Sequence, residues 1–198
     1  MASEHVPHES RAMEAADGKP TARVFVALRV APEIAGQLTR MAGGLERLPV
    51  RLIAPDDIHL TLVPPWNEHS VPAAIEKLRG VADKTAPFSL TFVHLSYGPQ
   101  PRPPRLLWAE CAAGEELTAL HAALLLVFGQ SDDRPFRPHV TVARIRGNGA
   151  AVARKHPIDR TLAFTQRVET IELMQSPPPG EVGYRALASL QLAGNSVR

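Results

Sequence analysis

Two tetrapeptides 80 residues apart, His59-Leu60-Thr61-Leu62 and His139-Val140-Thr141-Val142, carry the same alternation of polar and apolar side chains. In a β-strand successive side chains point to opposite faces. Leu60 and Leu62 therefore enter a core while His59 and Thr61 share the other face, and Val140, Val142, His139 and Thr141 divide in the same way. The surroundings repeat as well: a strand, a helix and the His-bearing strand succeed one another over residues 24–63 and again over residues 106–144. This echo predicts two related lobes that face each other, each presenting an imidazole beside a hydroxyl.

The rest of the chain fits that plan. Residues 24–28 read as a buried strand, and Pro32 opens a helix whose Ile34, Leu38, Met41 and Leu45 fall on one face. Residues 58–63 alternate as a strand. Ser70 and Pro72 start a second helix, continued by Ile75, Leu78 and Val81. Phe88, Leu90 and Phe92 alternate as a further strand, residues 106–111 form the next, and Leu117, Leu120, Leu124 and Phe128 mark a strongly apolar third helix. A short strand carries Val140 and Val142, and two more are expected near residues 168–175 and 184–192. Several strands follow one another without a helix between them, which favours α+β with mostly antiparallel sheets over a doubly wound parallel sheet. The expected organisation is a mobile tail over residues 1–20, one bilobal domain over residues 21–193 with helices flanking the sheets around a central cleft, and a short tail over residues 194–198.

Composition excludes several classes. At 198 residues the chain has the length of about one domain. Its formal charge of +2 lacks the excess that a tail-driven nucleic-acid binder needs. Cys111 is the only cysteine, so neither an intrachain disulfide nor a cysteine-rich zinc site can form. The apolar runs are shorter than the roughly 18 residues of a membrane span, and the polar N-terminus has no apolar signal region. A cytoplasmic protein that needs no membrane is the expectation.

An isolated H-x-T means little; the matched pair means more, because its parts make one reaction. Imidazole titrates near neutrality, so one copy accepts a proton while its twin donates one. Threonine hydroxyls suit the non-bridging oxygens of a phosphate. His59 and His139, with Thr61 and Thr141, therefore fit in-line displacement at phosphorus with a base on one side and an acid on the other. Neither H-E-x-x-H nor C-x-x-C occurs, and no metal or other cofactor is expected, so activity should persist in a chelator. Residues 134–160 hold seven Arg or Lys against one acidic residue, Asp159; this run, with Arg102 and Arg105, is either an RNA-backbone track or a solvated surface. His69, His94, His121 and His156 have no matched partners, His121 reads as a packed or edge histidine on an apolar helix, and Cys111 reads as a small core residue.

From Arg23 to Leu192 the chain resembles the two-histidine (2H) phosphoesterases, and among them the bacterial RNA 2′,3′-cyclic phosphodiesterases, or 2′-5′ RNA ligase family. The likeness rests on the opening strand 23–28, the approach 50–58 to the first motif, Leu106-Leu107-Trp108, the run from Arg134 through Arg144 and the closing segment 171–176 followed by Gly183-Tyr184. It implies a bilobal fold with a central cleft and hydrolysis of a 2′,3′-cyclic phosphate to a 2′-phosphate, with reversible 2′-5′ linkage of RNA ends as a related reaction. By the same resemblance His139 activates water, His59 protonates the departing 3′ oxygen, and Thr61 and Thr141 bind the phosphate. Arg144 matches a phosphate-contacting arginine, yet plain alternation puts it on the face opposite His139, so a bulge is required. Where the family has a Leu-Gly turn after the first motif, this chain has Val63-Pro64-Pro65-Trp66, expected as an altered loop; Trp66 is a candidate for stacking on a nucleobase or a loop anchor. The substrates implied are RNA ends or small nucleotides, handled by a monomer with no obligate protein partner. Two other readings stay open: a non-catalytic binder of phosphorylated RNA ends, and a phosphodiesterase for a small cyclic phosphate such as one derived from ADP-ribose.

Overall fold

The structure, a computed structural model, describes residues 21–99, 103–131, 135–178 and 180–194. The expected N-terminal tail over 1–20, all but Gly194 of the expected tail over 194–198, and Arg102 and Arg134 of the basic run lie outside the described residues. Among the described residues nine strands and four α-helices follow in the order β1 (Ala22–Arg29), α1 (Pro32–Met41), β2 (Val50–Leu52), β3 (His59–Glu68), α2 (Val71–Ala82), β4 (Phe88–Gly98), β5 (Leu106–Cys111), α3 (Glu115–Phe128), β6 (His139–Ile145), α4 (Gly149–Lys155), β7 (Asp159–Val168), β8 (Thr170–Gln175) and β9 (Arg185–Gln191).

Local chemistry sets the ends of these elements. Pro32 starts α1, where its missing N–H costs nothing. The helix stops before Gly43-Gly44, and Gly44 adopts φ 90°, a left-handed conformation open to glycine. Leu45, expected as the last member of the helical face, instead opens a 3₁₀ turn and is still fully buried there. Ser70 caps α2 by accepting from the Ala73 N–H, and Asn148 caps α4 through the Ala151 N–H at 3.1 Å.

The sheet runs β7-β4-β5-β6-β3-β1-β8-β9, with β2 also beside β6, and every pairing is antiparallel. The order is symmetric about the β6–β3 seam, each half being four strands, and this is the α+β bilobal arrangement the motif echo predicts. Helices α2 and α3 pack against each other, α2 resting on β8 and β9 and α3 on β3 and β4, one strand from each half. One apolar cluster runs beneath both halves, from Val24, Leu28 and Leu60 to Leu107, Leu120 and Val142. No helix among the described residues is long and apolar enough to cross a membrane.

Two expectations need correction, and α4 and β7 come in addition to the elements expected. Residues 64–66 are strand, not loop: β3 continues to Glu68, paired to β1 through Trp66–Val24 and Glu68–Ala22. Pro64 and Pro65 fit because β3 pairs with β6 only near Leu60 and a register shift skips both prolines on the β1 side, so no ladder N–H is missed. The strand at residues 88–92 continues to Gly98 past an irregularity at Val93. Finally, part of the basic run forms α4 and the start of edge strand β7.

Candidate active site

Strands β3 and β6 meet at the antiparallel pair Leu60–Val140. Counting outward from it sets His59 opposite Thr141 and Thr61 opposite His139, so each imidazole faces the other copy's hydroxyl across the seam. All four residues line one small cavity of about 50 Å³ together with Ile53, Asp57, Arg144 and Tyr184. Leu60, Leu62, Val140 and Val142 are buried on the opposite face.

A bulge brings Arg144 to this cavity. Along β5, Leu107 pairs with Ala143 but Trp108 pairs with Thr141, leaving Val142 as the extra residue. Val142 and Ala143 are then buried in succession, alternation flips, and Arg144 emerges on the face of His139 and Thr141. The first lobe repeats the device: Val26 pairs with Val63 and Ala27 with Thr61, while Leu62 and Val63 are both buried. The position equivalent to Arg144 holds Pro64, so only the second lobe contributes a cation.

A second irregularity supplies the cavity's rim. Strand β2 pairs with the far half of β6 through Leu52–Ala143, and the Ile53 N–H continues the ladder to the Val142 carbonyl at 2.9 Å. The chain then leaves the sheet in a 3₁₀ turn at Pro55–Asp57 and returns as β3. Asp57 at its end does two things. Its carbonyl accepts from His59 Nδ1 at 2.7 Å, and its Oδ1 accepts from the Tyr184 N–H at 3.0 Å, tying the β8–β9 connection to the turn.

His139 is held in the same way, Nδ1 donating to the Arg137 carbonyl at 2.7 Å. A carbonyl can only accept, so in both rings Nδ1 carries the proton and Nε2 is left free to exchange one. Phe25 (5.0 Å between centroids) and Tyr184 (4.9 Å, edge-on) pack against His59, and Trp108 at 4.4 Å packs against His139. This burial is the main cause that lowers both histidines below the usual imidazole value; Arg144 adds to the lowering at both, and the carbonyl hydrogen bonds oppose it. Beside His59 in the ladder, Arg29 bonds Glu172 at 2.7 Å and the Asp56 carbonyl at 2.8 Å; Glu172, 6% exposed, is the one buried charged residue among those described.

Trp66 lies apart from the cavity. Its ring packs 4.9 Å from Phe128 and its Nε1 donates to Glu68 Oε2 at 3.0 Å. His121 donates from Nδ1 to the Leu62 carbonyl and stacks on Phe136, while His94 pairs with Asp159 at 2.7 Å. Cys111 is buried, and its thiol is pushed up to about 12, burial being the larger cause and Glu110 the smaller. A larger hollow of about 500 Å³, lined by Arg40, His156 and Arg160, holds neither motif histidine. Among the described residues no group of three or more His, Cys, Asp or Glu side chains is placed to hold a metal ion. Sequence reasoning missed Ile53, Asp57 and Tyr184 as cavity residues. In the sequence only Gly183 ahead of Tyr184 and the Asp56-Asp57 pair just before the first motif hinted at them.

The chain matches the family model of the 2′-5′ RNA ligase superfamily over residues 30–177. It is 32% identical over 131 residues to an RNA 2′,3′-cyclic phosphodiesterase of Geobacillus stearothermophilus, covering 61% of this chain and 41% of that protein. The matched part is thus under half of that relative's length. A second relative of the same name, from Archaeoglobus fulgidus, is 28% identical over 137 residues, 66% of this chain and 77% of its own. Among solved structures, a protein of Thermus thermophilus superimposes with TM-score 0.72 at 22% identity over 88% of this chain and 100% of that one. E. coli LigT complexed with 3′-AMP does so with TM-score 0.67 at 22% identity over 87% and 98%. At that identity these two establish the fold.

Proposed function

The chain belongs to the 2′-5′ RNA ligase superfamily, and from that premise we propose that it hydrolyses 2′,3′-cyclic phosphates of RNA or nucleotides to 2′-phosphomonoesters by paired histidine acid–base catalysis, without a metal. The observation that carries this reading is the pair of imidazoles, each with Nδ1 tied to a carbonyl and Nε2 free, on either side of an anion-sized cavity.

His139 Nε2 takes a proton from water as the water oxygen attacks phosphorus. The bond from phosphorus to O3′ breaks on the far side, and His59 Nε2–H gives its proton to O3′. Thr61 and Thr141 donate to the non-bridging oxygens, and the Arg144 guanidinium balances their charge. With a 5′-hydroxyl in place of water as the attacking group, the same forward steps join RNA ends through a 2′-5′ linkage. Every group required comes from one chain, which supports activity as a monomer over residues 21–193.

The test is release of a 2′-phosphomonoester from a cyclic-phosphate oligonucleotide, with and without chelator. His59→Ala and His139→Ala should each lower the rate by about 10²–10⁴-fold, the usual contribution of general acid–base groups, and chelation should change nothing. Full rate in either variant, or loss in chelator restored by zinc, would count against it. Saturable, salt-sensitive binding without product would instead make the protein a binder of phosphorylated ends.

A further inference from the structure

A second hollow, of about 160 Å³, adjoins the cavity and shares His139 with it; Trp108, Glu110, Phe136 and Arg137 are among its other lining residues, with Cys111 and Pro138. Cross-strand pairing puts Trp108 beside Thr141 and Glu110 beside His139, so both stand on the face of the sheet that carries the motif residues, Trp108 largely buried there. The Arg137 guanidinium lies 5.2 Å from the centre of the Trp108 ring and bonds Glu110 at 3.1 Å. Phe136 is held from behind by stacking on His121, ring centroids 3.8 Å apart. The strand order β5-β6-β3-β1 sets this hollow on the opposite side of the seam from Phe25 and Tyr184.

We infer that this hollow is a subsite for a second ribonucleoside, the one whose 5′ oxygen bonds to phosphorus on the His139 side; the inference rests on the phosphodiesterase reading above. In-line displacement requires the entering and departing oxygens on opposite sides of phosphorus. With O3′ leaving towards His59, the ribose of the cyclic phosphate occupies the His59 side and the entering oxygen comes past His139. Water needs no built chamber there. A hollow larger than the cavity itself, with aromatic and guanidinium faces, suits the flat face of a base, and the Glu110 carboxylate can accept from its amino group or from a ribose hydroxyl.

The step balances without a further reactant. The 5′-hydroxyl oxygen bonds to phosphorus, its proton goes to His139 Nε2, the bond from phosphorus to O3′ breaks, and O3′ takes the proton of His59 Nε2. The reverse cleaves a 2′-5′ linkage into a 2′,3′-cyclic phosphate and a free 5′-hydroxyl.

The experiment compares kcat/KM for cleavage of adenylyl-(2′-5′)-adenosine with that for hydrolysis of adenosine 2′,3′-cyclic phosphate, in the wild type and in Arg137→Ala and Glu110→Gln. Truncating the Arg137 side chain leaves the carbonyl that holds His139. The dinucleotide value should fall about tenfold further than the cyclic-phosphate value, mostly through KM, as expected for losing one stacking partner. Equal losses on both substrates would overturn the subsite, as would a wild type that hydrolyses the cyclic phosphate and leaves the dinucleotide intact; both outcomes spare the phosphodiesterase reading. A wild type inactive on both substrates would remove that reading and the subsite with it.

Discussion

Two cationic imidazoles side by side would repel and do no chemistry, and two neutral ones would lack an acid. On the proposed mechanism the working state has His139 neutral and His59 protonated, so kcat/KM should follow a bell bounded by the two apparent pKa values of the pair. Burial holds both below the ordinary imidazole value, which centres the bell of the free protein on the acid side of that value. A bound phosphate anion favours both protonated forms, so the kcat profile should lie at higher pH than the kcat/KM profile. The Arg144 guanidinium acts the other way: a cation disfavours protonation of its neighbours, so Arg144→Ala should raise both pKa values and move the bell towards higher pH. The same variant should lose about ten- to a hundredfold in kcat/KM, the worth of a hydrogen bond to a charged group. Initial rates across pH 4.5–9 (an assay range, roughly two units either side of the imidazole value) check both; a bell that stays in place would show that Arg144 does not act on the pair.

At the scale of elements, the polar–apolar alternation of the two motifs was enough to infer which side chains share a face, because strand geometry alone decides it. That Arg144 needs a bulge was legible too. That the bulge exists depends on the β5 register, which no local pattern encodes. Edge strand β7 escaped notice because Asp159 and Arg160 mask the inward spacing of Leu162, Phe164 and Val168, and Pro64-Pro65 imitated a loop because strand prolines are tolerated only where a partner is missing. The 3₁₀ turn at Pro55–Asp57 escaped for the same reason: only pairing with β6 shows that β2 and β3 continue one ladder around it. This turn carries a prediction of its own. Asp57→Asn keeps the backbone carbonyl under His59 but removes a negative charge that favours its protonated form. His59 should then deprotonate at lower pH, so the alkaline limb of the bell moves down and the rate at neutral pH falls. The shift is opposite in sign to that of Arg144→Ala, and equal shifts in the two variants would refute the charge argument.

Over the whole molecule the question is whether the halves are separable. They share one sheet, but at the seam the two motif strands pair only through Leu60–Val140, a weak joint if it stood alone. Further links cross between them, beginning with the β2–β6 ladder and the hydrogen bond from His121 of α3 to the Leu62 carbonyl. The apolar cluster is continuous under β3 and β6, with Trp66 of the first half resting on Phe128 of α3. At the far side the Gln166 amide of β7 accepts from the Ala31 N–H and donates to the Arg29 carbonyl, both at 2.8 Å, clasping the end of β1. A core that both halves need cannot melt in halves, so urea unfolding should be one transition, with far-UV dichroism, the fluorescence of the two tryptophans and loss of activity superimposing. Gln166→Ala removes two partly buried hydrogen bonds and should lower stability by about 1–3 kcal/mol, shifting the midpoint at constant m. Should the variant or the wild type unfold in two steps, with activity lost in the first, the lobes are independent units and the site is assembled by their docking rather than by a common core.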